Sequence, residues 1–388
     1  MSAAARIEVA QVVTRFIAGA GGVALRGAAS LDPDAYHVTI VTGEGGPLLD
    51  EARDLGMEVH LEPSLVAPIA PRSDLTALRH LEALFRAAAF DVVHTHSAKA
   101  GAVGRVAAHR AGVPLVVHTY HGFPFHQFQS RARRAAYVSV ERRLARITDV
   151  VLCVGTGVAT EALRRGLATP TNLRTVAPAV DTVAVRLTQR SRSEARLRLS
   201  LPENVPVLGT VGRVGYQKAP EVFVEAVGLL RHTDAIGVWV GGGPDEEAIR
   251  RLAESRGLAE RIALVGQRSD VADILPAFDV FAMTSRYEGL PCAIVEAMRC
   301  GLPVVATAVN SVPDLVVPGE TGILVPPEAP EQVAEAVDQL LDDPFLAARL
   351  ADHGQLLADE SYDPERLGVI LDEVYGGGLR RPRLLRAV

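Results

Sequence analysis

The chain has 388 residues, 48% of them hydrophobic and 22% charged, with a net charge of −6. That length is room for roughly two to three domains, and the apolar share can fill their cores without disulfides or metals. The composition excludes a collagen-like chain, a secreted disulfide scaffold and a disordered chain. The absence of any long run of like charge argues against a general nucleic-acid binder, and no stretch of about 18 apolar residues is present to span a membrane.

Of the 40 cationic residues only Lys99 and Lys218 are lysines, so each invites a specific role. Cys153, Cys292 and Cys300 have no metal-ligand spacing and form no even set. Met1–Ala20 carries Arg6, Glu8, Gln11 and Arg15 and lacks the continuous apolar core of a signal peptide. A reducing cytoplasm is the expected setting.

In chain order, apolar runs at 7–13, 38–41, 92–95, 115–119 and 150–154 read as buried strands, with helical patterns such as 75–89 and 101–111 between them. A polar, arginine-rich stretch follows at about 182–206. A second series of strands then falls at 207–211, 236–240, 262–265, 280–283, 304–306 and 322–325, again with helices between. The end, about 364–375, reads as a helix followed by Gly376–Gly378 and a basic tail. Strands alternating with helices predict parallel sheets of the α/β class, here two Rossmann-like doubly wound domains facing across a cleft. The expected division is 1–182, a linker at 183–206, 207–363, and a last helix and tail at 364–388 returning to the first domain. Ligands of such sheets bind beyond the carboxyl ends of the strands, so residues just after each strand are the candidates.

The loop Ala18-Gly19-Ala20-Gly21-Gly22 follows the first strand and resembles a phosphate-binding turn, without the order or the lysine of the known nucleotide loops. Asp32-Pro33-Asp34 reads as turn chemistry. His94 and His96 share one strand face, and His118 and His121 end the next strand. Zinc ligation, polar lining of a substrate cleft and satisfied core histidines all remain open for these four. At 131–147, Tyr137, Val140, Leu144 and Ile147 form a helical stripe beside several arginines. That pattern fits a core-facing helix with a solvated basic side, and also a helix docking on an anionic membrane. After the first strand of the second series, Gly212-Arg213 and Lys218 place two cations where they can clamp a diphosphate. In Ser285–Gly301, Glu288, Gly289, Leu290 and Pro291 precede or open a helix whose free backbone N–H groups suit a diphosphate. Glu296 lies roughly 7–8 Å along that helix, within reach of a ribose.

Together these segments resemble family 4 of the glycosyltransferases, retaining enzymes of GT-B fold, in a bacterial branch. The likeness rests on Glu288 and Glu296 eight residues apart, on Gly212-Arg213 with Lys218, and on Gly21-Gly22. It extends to His94-Thr-His96-Ser97-Ala-Lys99, His118-Thr-Tyr120-His121-Gly122-Phe123, Gly266-Gln267-Arg268-Ser-Asp270, 303–307, and Gly319, Thr321 and Gly322. One departure is Pro178-Ala179-Val180-Asp181, where relatives usually read Pro-Asn-Gly-Val-Asp.

The resemblance implies a nucleotide diphosphate sugar, UDP-linked, bound to the second domain, with no metal or other cofactor. Arg213 and Lys218 would stabilise the leaving diphosphate, aided by backbone at Gly289, Leu290 and Pro291. Gly21 and Gly22 would border it, Arg268 the base, and Glu296 the ribose. Glu288 would contact the transferred sugar, and His121 the sugar or the acceptor. His96, Lys99 and Tyr120 are acceptor candidates. Attack would come from the front face, assisted by the leaving phosphate. The opening segment 13–26 is similar to actinomycete enzymes that glycosylate aminoglycoside precursors, which makes a small natural product the expected acceptor, and the protein's acidity would steer a cationic one. A polyprenol- or lipid-linked acceptor is the alternative. Other classes are a sugar-nucleotide epimerase, a pyridoxal-phosphate phosphorylase (for which Lys218 would have to form the Schiff base) and a non-catalytic sugar-nucleotide binder. No nucleic-acid partner is expected, membrane-surface association is not favoured, and oligomeric state is left open.

Overall fold

The computed structural model describes residues 6–17, 19–180 and 186–380. Ala18, Asp181, the start of the stretch read as a linker and the basic tail beyond 380 lie outside the described residues. In chain order the first elements are β1 (Ile7–Phe16), α1 (Ala20–Ala29), β2 (Tyr36–Gly45), α2 (Pro47–Asp54), β3 (Glu58–Leu61), α3 (Pro71–Ala87) and β4 (Val92–His96). Next come α4 (Ala98–Ala111), β5 (Leu115–Tyr120), α5 (Arg131–Ala145), β6 (Val150–Cys153), α6 (Thr156–Arg164), β7 (Leu173–Thr175) and α7 (Gln189–Arg198). The second series is β8 (Val207–Val211), α8 (Pro220–Leu229), β9 (Ile236–Val240), α9 (Glu246–Ser255), β10 (Ile262–Leu264), α10 (Val271–Ile274) and β11 (Val280–Met283). It ends with α11 (Cys292–Cys300), β12 (Val304–Thr307), β13 (Ile323–Val325), α12 (Pro330–Asp342), α13 (Pro344–Ser361) and α14 (Pro364–Arg380).

Two units result. The first takes the chain up to Ala179 together with the stretch from Pro364, and the second takes Val180–Asp363. The first holds a seven-stranded sheet in the order β3-β2-β1-β4-β5-β6-β7, the second a six-stranded sheet in the order β10-β9-β8-β11-β12-β13. Every pairing between these strands is parallel. Parallel strands are covered on both faces, which is why they read as continuous apolar runs. Val12, Val41, Leu81, Phe85, Val93 and Val116 pack together in the first unit, and Val222, Phe223, Trp239, Val280, Val305 and Val337 in the second. The α/β reading with two Rossmann-like sheets therefore holds.

The structure departs from expectation in three places. The edge strands β3 and β7 of the first sheet carry no apolar run, and in β3 Glu58 and Leu61 are exposed. The polar stretch before β8 contains α7, started by a capping box between Thr188 and Ser191. Arg196 in α7 is fully buried and donates to the carbonyls of Pro202, Glu203, Val205 and Ala277 and to the Asp279 carboxylate. Finally, α14 does not stop at Gly376–Gly378 but runs through them. A Cβ on Gly378 would come within 2.7 Å of the Leu115 side chain, so glycine here lets the helix approach β5.

The arginine-rich helix α5 is rotated from the predicted stripe. Val138, Glu141 and Leu144 are buried, whereas Val140 is 45% exposed. Glu141 turns inward because its carboxylate accepts from Arg105 and from the Tyr120 hydroxyl, each at 2.7 Å. Removing one member of a buried pair leaves the other charge uncompensated. Glu141→Ala should lower the free energy of unfolding in urea by roughly 3–5 kcal/mol, and Arg143→Ala, on the exposed side, by less than about 0.5 kcal/mol. Equal effects would contradict this packing.

Candidate active site

In the second unit, two loops meet beyond the carboxyl ends of β8 and β11. The β8 loop is pinned at Gly212, whose N–H donates to Val240 O at 2.9 Å and whose carbonyl accepts from the Trp239 indole at 2.8 Å. The side chain of Lys218 lies across Gly212, where a Cβ would fall 3.0 Å from Lys218 Cε. Lys218 Nζ thus reaches Glu288 Oε1 at 2.6 Å. The same carboxylate accepts from Ser285 Oγ at 2.6 Å and from Gln217 Nε2 at 3.2 Å. Behind it, Glu288 N donates to Asn310 Oδ1 at 2.9 Å and Thr307 Oγ1 to Ser285 O at 2.6 Å. Glu288 is 8% exposed. Three donors, one of them cationic, hold its carboxylate in place.

The other candidates of this unit surround the pair. Arg213 is exposed, and among the described residues its guanidinium has no partner. Pro291 is the N-cap of α11 rather than part of its first turn, and its own side chain makes no capping hydrogen bond. Gly289 and Leu290 lead into it, and Ser311 N donates to Gly289 O at 3.3 Å. Glu296 is the fifth residue of the helix. Arg268 forks onto Asp270 at 2.8 and 2.7 Å, so much of its hydrogen bonding is spent within its own loop. Sequence reasoning placed Lys218 on a diphosphate and Glu288 on a sugar and missed that the two pair. It also missed Ser285, Gln217 and Asn310, whose only signal is their position after strands.

In the first unit, Gly21 and Gly22 lie inside the first turn of α1, buried, not in a loop before it. Asp34 N donates to Asp32 Oδ1 at 2.9 Å, the turn expected of that tripeptide. The histidines gather at the ends of β4 and β5. His94 bonds Tyr375 and Thr119 at 2.7 Å each, and His118 Nδ1 bonds Thr95 Oγ1 at 2.8 Å. His96 bonds Gln11 at 2.7 Å and His121 at 2.9 Å. Among the described residues no three His, Cys, Asp or Glu side chains are placed to hold a metal ion. Burial thus resolves the alternatives for His94 and His118 as core residues with partners, and leaves His121, half-buried, nearest the surface.

The acceptor candidates fare differently from expectation. His96 is 3% exposed with both nitrogens bonded, and Tyr120 is 2% exposed with its hydroxyl on Glu141, so neither offers a free polar atom. The cause is that both point into the sheet's packed faces. Lys99 donates to Asp74 at 2.6 Å. Gln11 and Tyr375 were not foreseen. Gln11 was detectable as a polar residue interrupting the apolar first strand.

Burial pushes His94 down to about 3 and His121 down to about 4, and holds His96 and His118 well below the ordinary 6.5. These rings stay neutral in the fold, while the unfolded chain protonates them near 6.5. The unfolded chain therefore binds more protons between about 6.5 and about 4, and stability falls as pH falls through that window. Each group contributes a slope of up to ~1.4 kcal/mol per pH unit. The wild-type urea midpoint should drop between pH 7 and pH 5, and His94→Gln should flatten the drop. Parallel pH profiles for the two proteins would contradict it.

Residues 191–356 match the family described as Glycosyl transferases group 1, and residues 18–179 match the Glycosyl transferase 4-like domain. The D-inositol 3-phosphate glycosyltransferase of Salinispora arenicola is 32% identical over 317 residues, which cover 76% of this chain and 70% of that protein. The chain belongs to the group 1 glycosyl transferases. As a member it is a glycosyltransferase that uses nucleotide sugars. An Escherichia coli relative, UDP-Gal:alpha-D-GlcNAc-diphosphoundecaprenol alpha-1,3-galactosyltransferase, is 29% identical over 88% of this chain and 89% of its own. The alpha-D-kanosaminyltransferase of Streptomyces kanamyceticus is 34% identical over 48% of this chain and 50% of its own. Among solved structures, the Anabaena protein HepE in complex with UDP and glucose superposes with a TM-score of 0.84 at 19% identity, covering 96% of this chain and all of that one. Sucrose-phosphate synthase from Thermosynechococcus elongatus gives 0.79 at 23% identity, covering 96% and 99%. The fold of this glycosyltransferase is accordingly GT-B.

Proposed function

We propose that the protein transfers a sugar from a UDP-sugar to a hydroxyl with retention of configuration, and that the donor sits on the second unit around the Lys218–Glu288 pair. The observation that carries this reading is that pair, beside the exposed Arg213, whose guanidinium has no partner among the described residues, and the start of α11. Lys218 has three N–H donors, and directs one to Glu288 at 2.6 Å and one, weakly, to Met283 Sδ at 3.9 Å. The remainder, with Arg213 and the first N–H groups of α11, meet the charge that grows on the diphosphate as it departs. Glu296 takes the ribose hydroxyls, and Arg268 and its loop border the base. Glu288, fixed by Lys218, Ser285 and Gln217, holds a hydroxyl of the transferred sugar.

In the transfer, the bond from the sugar's anomeric carbon to the phosphate oxygen breaks. The acceptor oxygen bonds that carbon on the same face, and its proton passes to the departing phosphate oxygen. The negative charge is met by side chains and backbone, so the reaction should survive EDTA. His121 faces a hydroxyl of the sugar or acceptor.

For the acceptor, a small polyol or aminocyclitol is the first reading. It is supported by relatives named for D-inositol 3-phosphate and kanosaminyl transfer. A diphosphate-linked lipid is the second. It is supported by the Escherichia coli relative matched almost end to end, and by the outward face of α5, where Arg131, Arg133, Arg142 and Arg143 are exposed while the single acid, Glu141, is buried. Among the described residues no helix is long and apolar enough to cross a membrane, so contact with such a lipid would be at the surface.

Thermal shifts with UDP, GDP, ADP and dTDP test the donor. At 100 times its dissociation constant a nucleotide stabilises by roughly 2.7 kcal/mol. UDP should give the largest shift, and Glu296→Ala should remove most of it. Lys218→Ala should lower turnover more than it weakens UDP binding. Equal losses would make Lys218 a plain anchor, and a shift with another nucleotide alone would replace UDP. Product formation with aminocyclitol acceptors against undecaprenyl-diphosphate-linked sugar decides between the acceptors. Turnover of donor without any acceptor would favour an epimerase.

A further inference from the structure

Six side chains form one hydrogen-bonded line through the first unit. Thr119 Oγ1 lies 2.7 Å from His94 Nε2, and His94 Nδ1 lies 2.7 Å from the Tyr375 hydroxyl. Gln11 Nε2 donates to that hydroxyl at 2.9 Å, and Gln11 Oε1 lies 2.7 Å from His96 Nε2. His96 Nδ1 then lies 2.9 Å from His121 Nε2. Tyr375 is fully buried, and Gln11, His94, His96 and Thr119 are at most 3% exposed. Only His121, at the end of the line, is half-buried, and its Nδ1 has no hydrogen bond among the described residues. A buried polar line costs desolvation that apolar side chains would avoid, and every member must find its partner.

With the Gln11 amide nitrogen donating to Tyr375, one proton arrangement satisfies the whole line. Gln11 Oε1 can only accept, so neutral His96 carries its proton on Nε2. His96 Nδ1 is then an acceptor, and His121 must donate from Nε2. On the other side Tyr375, having accepted from Gln11, donates to His94 Nδ1, and His94 Nε2–H donates to Thr119. Burial keeps the three rings neutral, which this arrangement requires.

We propose that Gln11 and Tyr375 are positioning residues that, through His96, fix His121 in the tautomer protonated on Nε2, leaving a lone pair on Nδ1 toward substrate. The group recognised there must then donate a hydrogen bond. A hydroxyl of the sugar or acceptor fits, and a phosphate or carboxylate oxygen is repelled. The hydroxyl half of this inference rests on the reading that His121 faces substrate; the tautomer half rests on the hydrogen bonds alone. It also gives α14 a task, since Tyr375 brings the end of the chain onto the strand ends of the first unit.

The test is a long-range proton–nitrogen correlation spectrum of the full chain with labelled histidine at pH 7. His121 is assigned by the resonance lost in His121→Asn. Wild type should show His121 as a single tautomer, with the proton on Nε2 and a bare Nδ1. Tyr375→Phe frees the Gln11 amide to turn and should give His121 mixed tautomers. A proton on His121 Nδ1 in the wild type overturns the proposal without recourse to any variant. An unmixed His121 tautomer in folded Tyr375→Phe overturns the relay. UDP-glucose or UDP-galactose, with the acceptor that supports turnover, should shift the bare Nδ1 resonance as it accepts a hydrogen bond. An unmoved Nδ1 alongside the expected tautomers overturns the hydroxyl half and the substrate-facing reading of His121 with it, while a failed tautomer leaves the donor site on the second unit untouched.

Discussion

A doubly wound parallel sheet delivers the carboxyl end of every strand to the same edge, and the placement of functional groups in both units follows from this. Gly212–Lys218 and Ser285–Pro291 come from separate stretches of sequence, yet they meet because β8 and β11 are neighbours running in the same direction. In the first unit, His96 and His121 meet because β4 and β5 are adjacent, with His96 in register with Thr119. The helices that follow these strands begin at that edge too, so positive helix ends and side chains converge there.

Once brought there, polar groups are held by pairing rather than by solvent. Lys218 and Glu288 are both largely buried and hold each other, as do Arg105 and Glu141 deeper in the first unit. Such pairs are costly to form and costlier to break, which makes them positional devices more than sources of stability. The histidine line works by the same logic without charge. Its members are neutral, and their order is fixed by which atoms can donate.

The strands were legible in the sequence where they carry an apolar run, which includes every central strand and the edge strands β10 and β13 of the second sheet. Edge strands β3 and β7, which carry none, were not. The helix through Gly376–Gly378 was hidden because glycine at the end of a pattern reads as a stop, when here its missing Cβ admits Leu115. At the site, residues with a fixed spacing along one segment were visible: Gly212, Arg213 and Lys218, or Glu288 and Glu296. What escaped were relations between segments, such as Lys218 to Glu288, Gln11 to Tyr375 and Tyr120 to Glu141. Spacing along the chain carries no information about such pairs until strand order is known.

The central claim is that the strand-end loops of the second unit, organised by the Lys218–Glu288 pair, receive the donor's diphosphate and ribose. Hydrogen exchange of the full chain with and without saturating UDP addresses it most directly. The account predicts slowed exchange at 212–218 and through the start of α11 to Glu296, while the interior strands of the second unit, already protected, change little. Slowing elsewhere with none in those two segments would contradict it.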